Sequence, residues 1–118
     1  MNNVITLKGN LGLITYLPLD KDYTLVAIRL CVKESLGIDT NGNKKTKDTW
    51  FNLIAHGTAF EEFRQENFQV GDFVKIEGSV NPESTIIDGV KYSPSVIKLN
   101  KTILLSKAIR ENINLKAA

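Results

Sequence analysis

The sequence predicts an all-β fold, a five-stranded barrel with one short helix between its third and fourth strands. Three observations support this. Residues 50–56 alternate as a strand, residues 58–68 have the pattern of a short helix with its flanks, and residues 73–78 alternate again and end in glycine. We therefore expect strand, helix, turn and strand in this order, which is the arrangement of the OB-fold.

The first two predicted strands supply outward basic residues. Residues 4–16 read as a strand that can bend at Gly9 and Gly12. A turn around Pro18 leads to a second strand over residues 23–34, whose even positions are apolar and point inward. Arg29 and Lys33 occupy odd positions, so we expect both to point outward.

A loop over residues 37–47 is predicted next, turned at Asn41-Gly42, which is a strong hairpin signal. In the third strand, Trp50 lies on a side that is neither fully apolar nor fully polar. That side also carries Asn52, Ile54 and His56, and the other side carries Phe51, Leu53 and Ala55. A large aromatic side chain on such a face need not belong to the core.

The rest of the barrel follows from local signals. Thr58 and Glu61 form a potential capping box for the helix, and Phe60 and Phe63 share a helix face that would plug the barrel end. Further turns are expected at Gly71-Asp72 and at Asp88-Gly89, the second inside a hairpin over residues 81–90. A fifth strand is predicted over residues 92–105. The domain organisation is therefore an OB-fold domain over residues 1–105 and a short tail over 106–118 with helical propensity.

Three motifs in order resemble bacterial single-stranded DNA-binding proteins across about residues 1–104. They are M-N-N-V-I-T-L-K-G-N-L-G at the start, T-W-F-N-L-I-A-H-G in the third strand, and V-G-D-F-V-K-I-E-G-S-V in the fourth. The resemblance implies sequence-independent binding of single-stranded DNA in replication, recombination or repair, with Trp50 stacking on bases. It also implies a homo-oligomer, a dimer or a tetramer, for which the first strand from Asn2 to Lys8 is a plausible pairing edge.

The sequence departs from the resembling family where further stacking aromatics are expected. Leu36, His56 and the pair Thr85-Ile86 stand at those places, and Asn52 replaces a common basic residue. The family's flexible extension with an acidic tip, which recruits replication and repair proteins, has no counterpart in the mixed-charge end of this sequence.

The residues predicted to bind nucleic acid combine one aromatic ring with basic side chains on or near the same face. Imidazole can also stack on bases, and lysines in a mobile hairpin could fold over phosphates. The predicted set is Arg29, Lys33, Lys44, Lys45, Lys47, Trp50, His56 and Lys75. Five of them have a simpler alternative: Trp50 packs on a neighbouring strand or subunit, the three loop lysines form a solvated tip, and His56 is an ordinary surface histidine. The outward positions of Arg29, Lys33 and Lys75 depend on the strand register, which a slip of one residue would reverse.

Composition excludes several other classes of function. The net charge is only +2, and the single cysteine cannot form an intramolecular disulfide, which suits a reducing compartment. The sequence shows no membrane span, signal peptide, nucleophile with a histidine base, or phosphate-binding loop. His56 is the only histidine and has no partner at metal-ligand spacing, so we expect no metal and no cofactor.

We therefore expect a cytoplasmic, nucleoid-associated bacterial protein without enzymatic activity. Two alternatives stay open at this point. One is a primosomal accessory protein of the PriB type, which shares the fold, and the other is an OB-fold that binds proteins and no nucleic acid.

Overall fold

The computed structural model describes residues 3–18, 24–81 and 83–108. Five long strands close a barrel in the order β1-β2-β3-β7-β4, and β4 pairs back onto β1. A helix lies between β3 and β4, and a separate two-stranded hairpin lies between β4 and β7. The elements are β1 (Ile5–Pro18), β2 (Thr24–Ile38), β3 (Lys44–Ala55), α1 (Gly57–Gln65), β4 (Phe73–Ser79), β5 (Thr85–Ile87), β6 (Val90–Tyr92) and β7 (Val96–Ser106). The predicted all-β OB-fold barrel is confirmed.

The alternation of apolar residues along the strands builds the barrel interior. In β2 the buried even positions are Val26, Ile28 and Leu30, as the pattern predicted. Phe60 and Phe63 of α1 are also buried in this cluster, so the helix closes one end of the barrel as expected. The other buried members are Leu11, Leu53, Ala55, Phe68, Val74, Ile76, Ile97 and Leu99.

β1 serves both halves of the barrel. Its residues from Ile5 to Asn10 pair with β4, and its residues from Asn10 to Pro18 pair with β2. Among the described residues, the edge of β1 before Asn10 that faces away from β4 has no partner strand. A free strand edge of this kind can pair with a second chain.

A buried carboxylate holds the end of β7 to the start of β4. Asp72 is almost fully buried, and its side chain accepts the backbone N–H groups of Gln69 and Ala108, each at 2.9 Å. Its carbonyl accepts the N–H of Leu11 at 3.0 Å. The predicted turn at Gly71-Asp72 therefore also joins three strands of the barrel.

Several element boundaries differ from prediction. The helix begins at Gly57 with His56 as its N-cap and has no side-chain capping bond, so the expected capping box is wrong. Glu61 instead bonds Arg64 at 2.9 Å one turn along the helix. The fifth barrel strand begins at Val96, because Tyr92 belongs to the inserted hairpin. The predicted tail helix falls mostly on residues beyond 108, outside the described residues, and Ser106 itself still belongs to β7.

Candidate nucleic-acid interface

Trp50 lies on the outer face of the barrel, on β3 and directly opposite Cys31 of β2. It is 48% exposed, which is high for the one tryptophan of the chain. Its ring reaches across β2 to Gly12 of β1, which sits at an irregularity in the pairing of β1 with β2. A Cβ atom at position 12 would lie 2.3 Å from Cζ3 of the indole, so only glycine leaves room for the ring there.

Arg29 completes the aromatic site from the neighbouring strand. Its guanidinium carbon lies over the indole, 5.1 Å from the ring centroid, within the range of a cation–π contact. Arg29 is directly opposite Asn52, which is two residues beyond Trp50 on the same face of β3. We call the outer face of β2 and β3 that carries Trp50, Arg29 and Asn52 the open face. It brings an exposed aromatic ring, a cation and an amide together on two neighbouring strands.

The strands β2 and β3 continue beyond the barrel as a two-stranded ribbon. Pairing runs as far as Ile38 opposite Lys44, with an irregularity between Ser35 and Gly37. The predicted loop over residues 37–47 is therefore wrong, and the connection is only residues 39–43. The turn is short because the Asp39 carboxylate accepts the N–H groups of Asn41 and Asn43, each at 2.9 Å.

This pairing divides the predicted run of lysines between two faces. Lys44 is an even number of residues from Trp50 and shares its face, whereas Lys45 and Lys47 point to the opposite face. Lys33 also lies on the Trp50 face, directly opposite Asp48. The five predicted basic residues of β2 and β3 therefore do not form a single cluster, and of these only Arg29, Lys33 and Lys44 lie on the indole side.

His56 lies away from this open face, under the inserted hairpin. Its side chain is only 11% exposed and contacts the Asp88 carboxylate at 3.1 Å and the Tyr92 hydroxyl at 2.5 Å. The structure thus engages both ring nitrogens in contacts with the hairpin. Burial, followed by the nearby Asp88 charge, raises the pKa of Tyr92 to about 12.

The hairpin β5–β6 covers the far end of the same sheet. Val90 and Tyr92 pack on Leu25, and on the partly buried Ala27 and Ile54, to form a second apolar cluster. Leu25 does point away from the barrel interior, as its odd position predicted, but the hairpin buries it. This cover marks one limit of the open face.

Lys75 lies on a different part of the barrel from Trp50. It is on β4, directly opposite Lys8 of β1 and Ile103 of β7. In the closed barrel, β4 is separated from β3 by β1 and β2 on one side and by β7 on the other, so the two strands are not neighbours. The structure thus does not bring Lys75 together with the aromatic site.

Three residues of this region were not among the predicted site residues. Gly12 makes room for the indole, Asn52 faces Arg29, and Tyr92 holds His56. The glycine in the G-x-L-G turn was a signal, because a conspicuous glycine in a strand often marks close approach of another group. The Tyr92 contact joins residues 36 positions apart and has no local signal.

The described residues contain neither a metal-binding cluster nor a membrane-spanning helix. No group of three or more histidine, cysteine, aspartate or glutamate side chains there could hold a metal ion. No helix in the described part of the chain is long and apolar enough to cross a membrane.

The fold is shared with solved structures of single-stranded DNA-binding proteins. A small single-stranded DNA-binding protein from Streptomyces coelicolor superposes with a TM-score of 0.63 at 18% identity, over 89% of this chain and 96% of that one. The Plasmodium falciparum protein in complex with single-stranded DNA gives 0.62 at 16% identity, over 90% and 95%. A deletion mutant of the Thermus aquaticus protein gives 0.61 at 18% identity, over 89% of this chain and 51% of that one.

Comparisons of sequence alone give no such match. No protein-family model matches the chain. No curated protein matches it either. At these identities the structural likeness establishes the OB-fold alone, because one fold can carry different functions.

Proposed function

We propose that this protein binds single-stranded DNA, largely without regard to sequence, on the face that carries Trp50. The observation that carries the proposal is the half-exposed indole held between Gly12 and Arg29. Stacking of a base on such a ring contributes roughly 1–3 kcal/mol and tolerates every base. One of the structures with the same fold is a complex with single-stranded DNA.

Basic side chains along the same face would contact the phosphates. Arg29, Lys33 and Lys44 lie on the indole side of β2 and β3, so one strand of DNA running along the ribbon passes all three. Lys75 would contact a phosphate only if the DNA strand continued around the barrel from the Trp50 face onto β4. We assign Lys45 and Lys47 no contact with a strand on the Trp50 face, and we assign His56 to the support of the hairpin.

The proposal includes no catalysis and no cofactor. Its setting is DNA replication, recombination or repair in the cytoplasm of a bacterium, with residues 1–105 as the binding domain and 106–118 as a tail. We also propose a homo-oligomer that forms through the free edge of β1. An edge segment with backbone groups unpaired within the described chain supports this, and light scattering at micromolar concentration tests it.

The deciding experiment uses Trp50 as its own reporter. Because the chain has one tryptophan, quenching of its fluorescence by oligo-dT reports directly on the proposed site. Trp50→Ala, followed by anisotropy of a labelled oligo-dT, should weaken binding by about 1–3 kcal/mol. Leu105→Ala is the matched control, since it removes an exposed apolar side chain from the end of β7, which pairs with β4 and not with β3.

The outcomes separate the possibilities. Loss of affinity in Trp50→Ala with an unchanged circular dichroism spectrum supports the site. Equal affinity in the folded variant places the DNA elsewhere. No binding of any single strand at low salt overturns the proposed function and leaves a protein-binding OB-fold in its place.

A further inference from the structure

The surroundings of Trp50 contain groups suited to recognising a base edge as well as a base face. Arg29 and Asn52 lie directly opposite one another, and Asn52 is two residues from Trp50 on the same side of β3. Directly opposite residues have Cβ atoms about 4.5–5.5 Å apart. A base that takes the place of the Arg29 guanidinium over the indole therefore has both polar side chains within reach of its edge.

Arg29 and Asn52 have no other polar partner in residues 3–18, 24–81 and 83–108. Among the described residues, the ion pairs are His56 with Asp88 and Arg64 with Glu61, and neither involves Arg29. The side chain of Asn52 also takes part in none of the hydrogen bonds within the described part of the chain. Within the described part of the chain, the side-chain interaction of Arg29 is the cation–π contact with the indole, at 5.1 Å. Its five N–H donors have no acceptor among those residues and are therefore available to a ligand.

The geometry of the guanidinium selects among the bases. Arginine presents two parallel N–H donors, which match two adjacent acceptors on a base edge. Guanine offers such a pair in O6 and N7. Cytosine offers O2 and N3 on its pairing edge, which single strands leave open. On adenine and thymine, the polar atoms along each hydrogen-bonding edge alternate between donor and acceptor, so the two parallel N–H donors of a guanidinium find no pair of adjacent acceptors.

We propose, building on the proposed function, that the Trp50–Arg29–Asn52 cluster is a base-selective position that prefers guanine, within an interface that otherwise tolerates any sequence. Guanine ranks above cytosine because a purine covers more of the indole. Arg29 then donates to O6 and N7, and the amide oxygen of Asn52 can accept from N1–H or the N2 amino group on the adjacent pairing edge of the guanine. Adenine and thymine keep the stacking contact but leave one of the two guanidinium donors unpaired.

The test uses oligo-dT of about one OB-fold site length, roughly 4–16 nucleotides, in which one position is dT, dG, dC or dA. A single dG should raise the affinity at least about fivefold over all-dT, as one matched bidentate pair predicts. Replacing that dG by 7-deaza-dG, which lacks the N7 acceptor, should remove most of the gain. Equal affinity for dG, dA and dT within about twofold overturns the inference.

Two variants identify the residue responsible. Arg29→Lys keeps the positive charge but loses the planar fork, so the ratio of dG to dT affinities should fall towards one. The matched control is Arg64→Lys, on the helix at the barrel end, which should keep the wild-type ratio. A dG preference that survives Arg29→Lys would reject Arg29 as its source.

The two proposals fail in different ways. If no oligonucleotide binds, the proposed function fails. If all four bind and the ratio stays near one, single-stranded DNA binding stands and the guanine preference alone is wrong.

Discussion

The β2–β3 and β5–β6 hairpins have similar turn signals and very different surroundings. The ribbon of β2 and β3 turns near Asn41-Gly42 and extends into solvent, with Leu36 and Ile38 exposed near its tip. The hairpin β5–β6 turns at Asp88-Gly89, where both residues have positive φ, and lies against the sheet. The β2–β3 ribbon extends the open face that carries Trp50, whereas the β5–β6 hairpin covers the other end of that face.

The difference comes from what each hairpin places on its inner side. Val90 and Tyr92 are buried against Leu25, and His56 bonds the Tyr92 hydroxyl. The distal ribbon has no such cluster among the described residues, and its cross-strand partners there are mostly polar or charged. The turn sequence thus favours pairing of the two strands that it joins. Apolar residues on those strands then determine whether the hairpin packs against the barrel or extends into solvent.

The largest expected effect is the loss of the hairpin anchor. Tyr92→Ala removes a fully buried aromatic ring, so we expect the free energy of unfolding to fall by about 3–5 kcal/mol. Ile38→Ala, at a ribbon position that is 69% exposed, should change it by no more than about 0.5 kcal/mol. Urea unfolding measures both. Similar losses in the two variants would show that the ribbon tip is also covered in solution.

A smaller effect should appear at alkaline pH. The pKa of Tyr92 is raised from 10.0 to about 12, so its phenol stays neutral in the folded state after it would ionise in the unfolded one. Its contribution to stability is complete below pH 10 and is lost as the pH rises from 10 towards 12. Tyr92→Phe should therefore show a shallower loss of stability over this range.

The measurement is chemical unfolding of wild type and Tyr92→Phe at a series of pH values. Near neutral pH the variant should be the less stable protein, because it lacks the hydroxyl that bonds His56. Parallel curves above pH 10 would contradict the assignment, because Tyr92 would then ionise alike in both states.

The smallest expected effect tests the division of the lysines in the ribbon. Lys44→Gln should reduce the salt dependence of oligo-dT binding by about 0.7 in the slope of log K against log salt, the value for one phosphate contact on a single strand. Lys45→Gln, one residue away on the opposite face, is the control and should leave the slope unchanged. Equal changes in both would mean that the ribbon folds over the DNA as the mobile loop was expected to do.

Local patterns predicted the architecture well. The alternation of residues 26–32, the helix with Phe60 and Phe63, and the turns at Gly71-Asp72 and Asp88-Gly89 are all confirmed. Each of these features depends on residues within a few positions of one another, so the turn preferences and the spacing of apolar residues that produce it can be seen in the sequence. The outward direction of Arg29 followed from the same period, whereas that of Trp50 stayed open, because neither side of its strand is fully polar.

The surroundings of the site could not be predicted in this way. The sequence pattern gave His56 no partners, because Tyr92 lies 36 positions away and is brought there by the inserted hairpin. Lys44, Lys45 and Lys47 are consecutive enough to suggest one cluster, but continued strand pairing separates them. Contacts between distant segments depend on packing, which a local window does not contain.

Gly12 has a consequence for how the interface tolerates mutation. The indole belongs to β3, but the space that it occupies is provided by a missing side chain on β1, where any Cβ would lie 2.3 Å from the ring. The interface therefore has a vulnerable position in a residue that contributes no charge and no ring. In a mutational scan, position 12 would behave like a ligand-contacting residue without being one, and the aromatic surface could be redirected by adding a single carbon atom to a different strand.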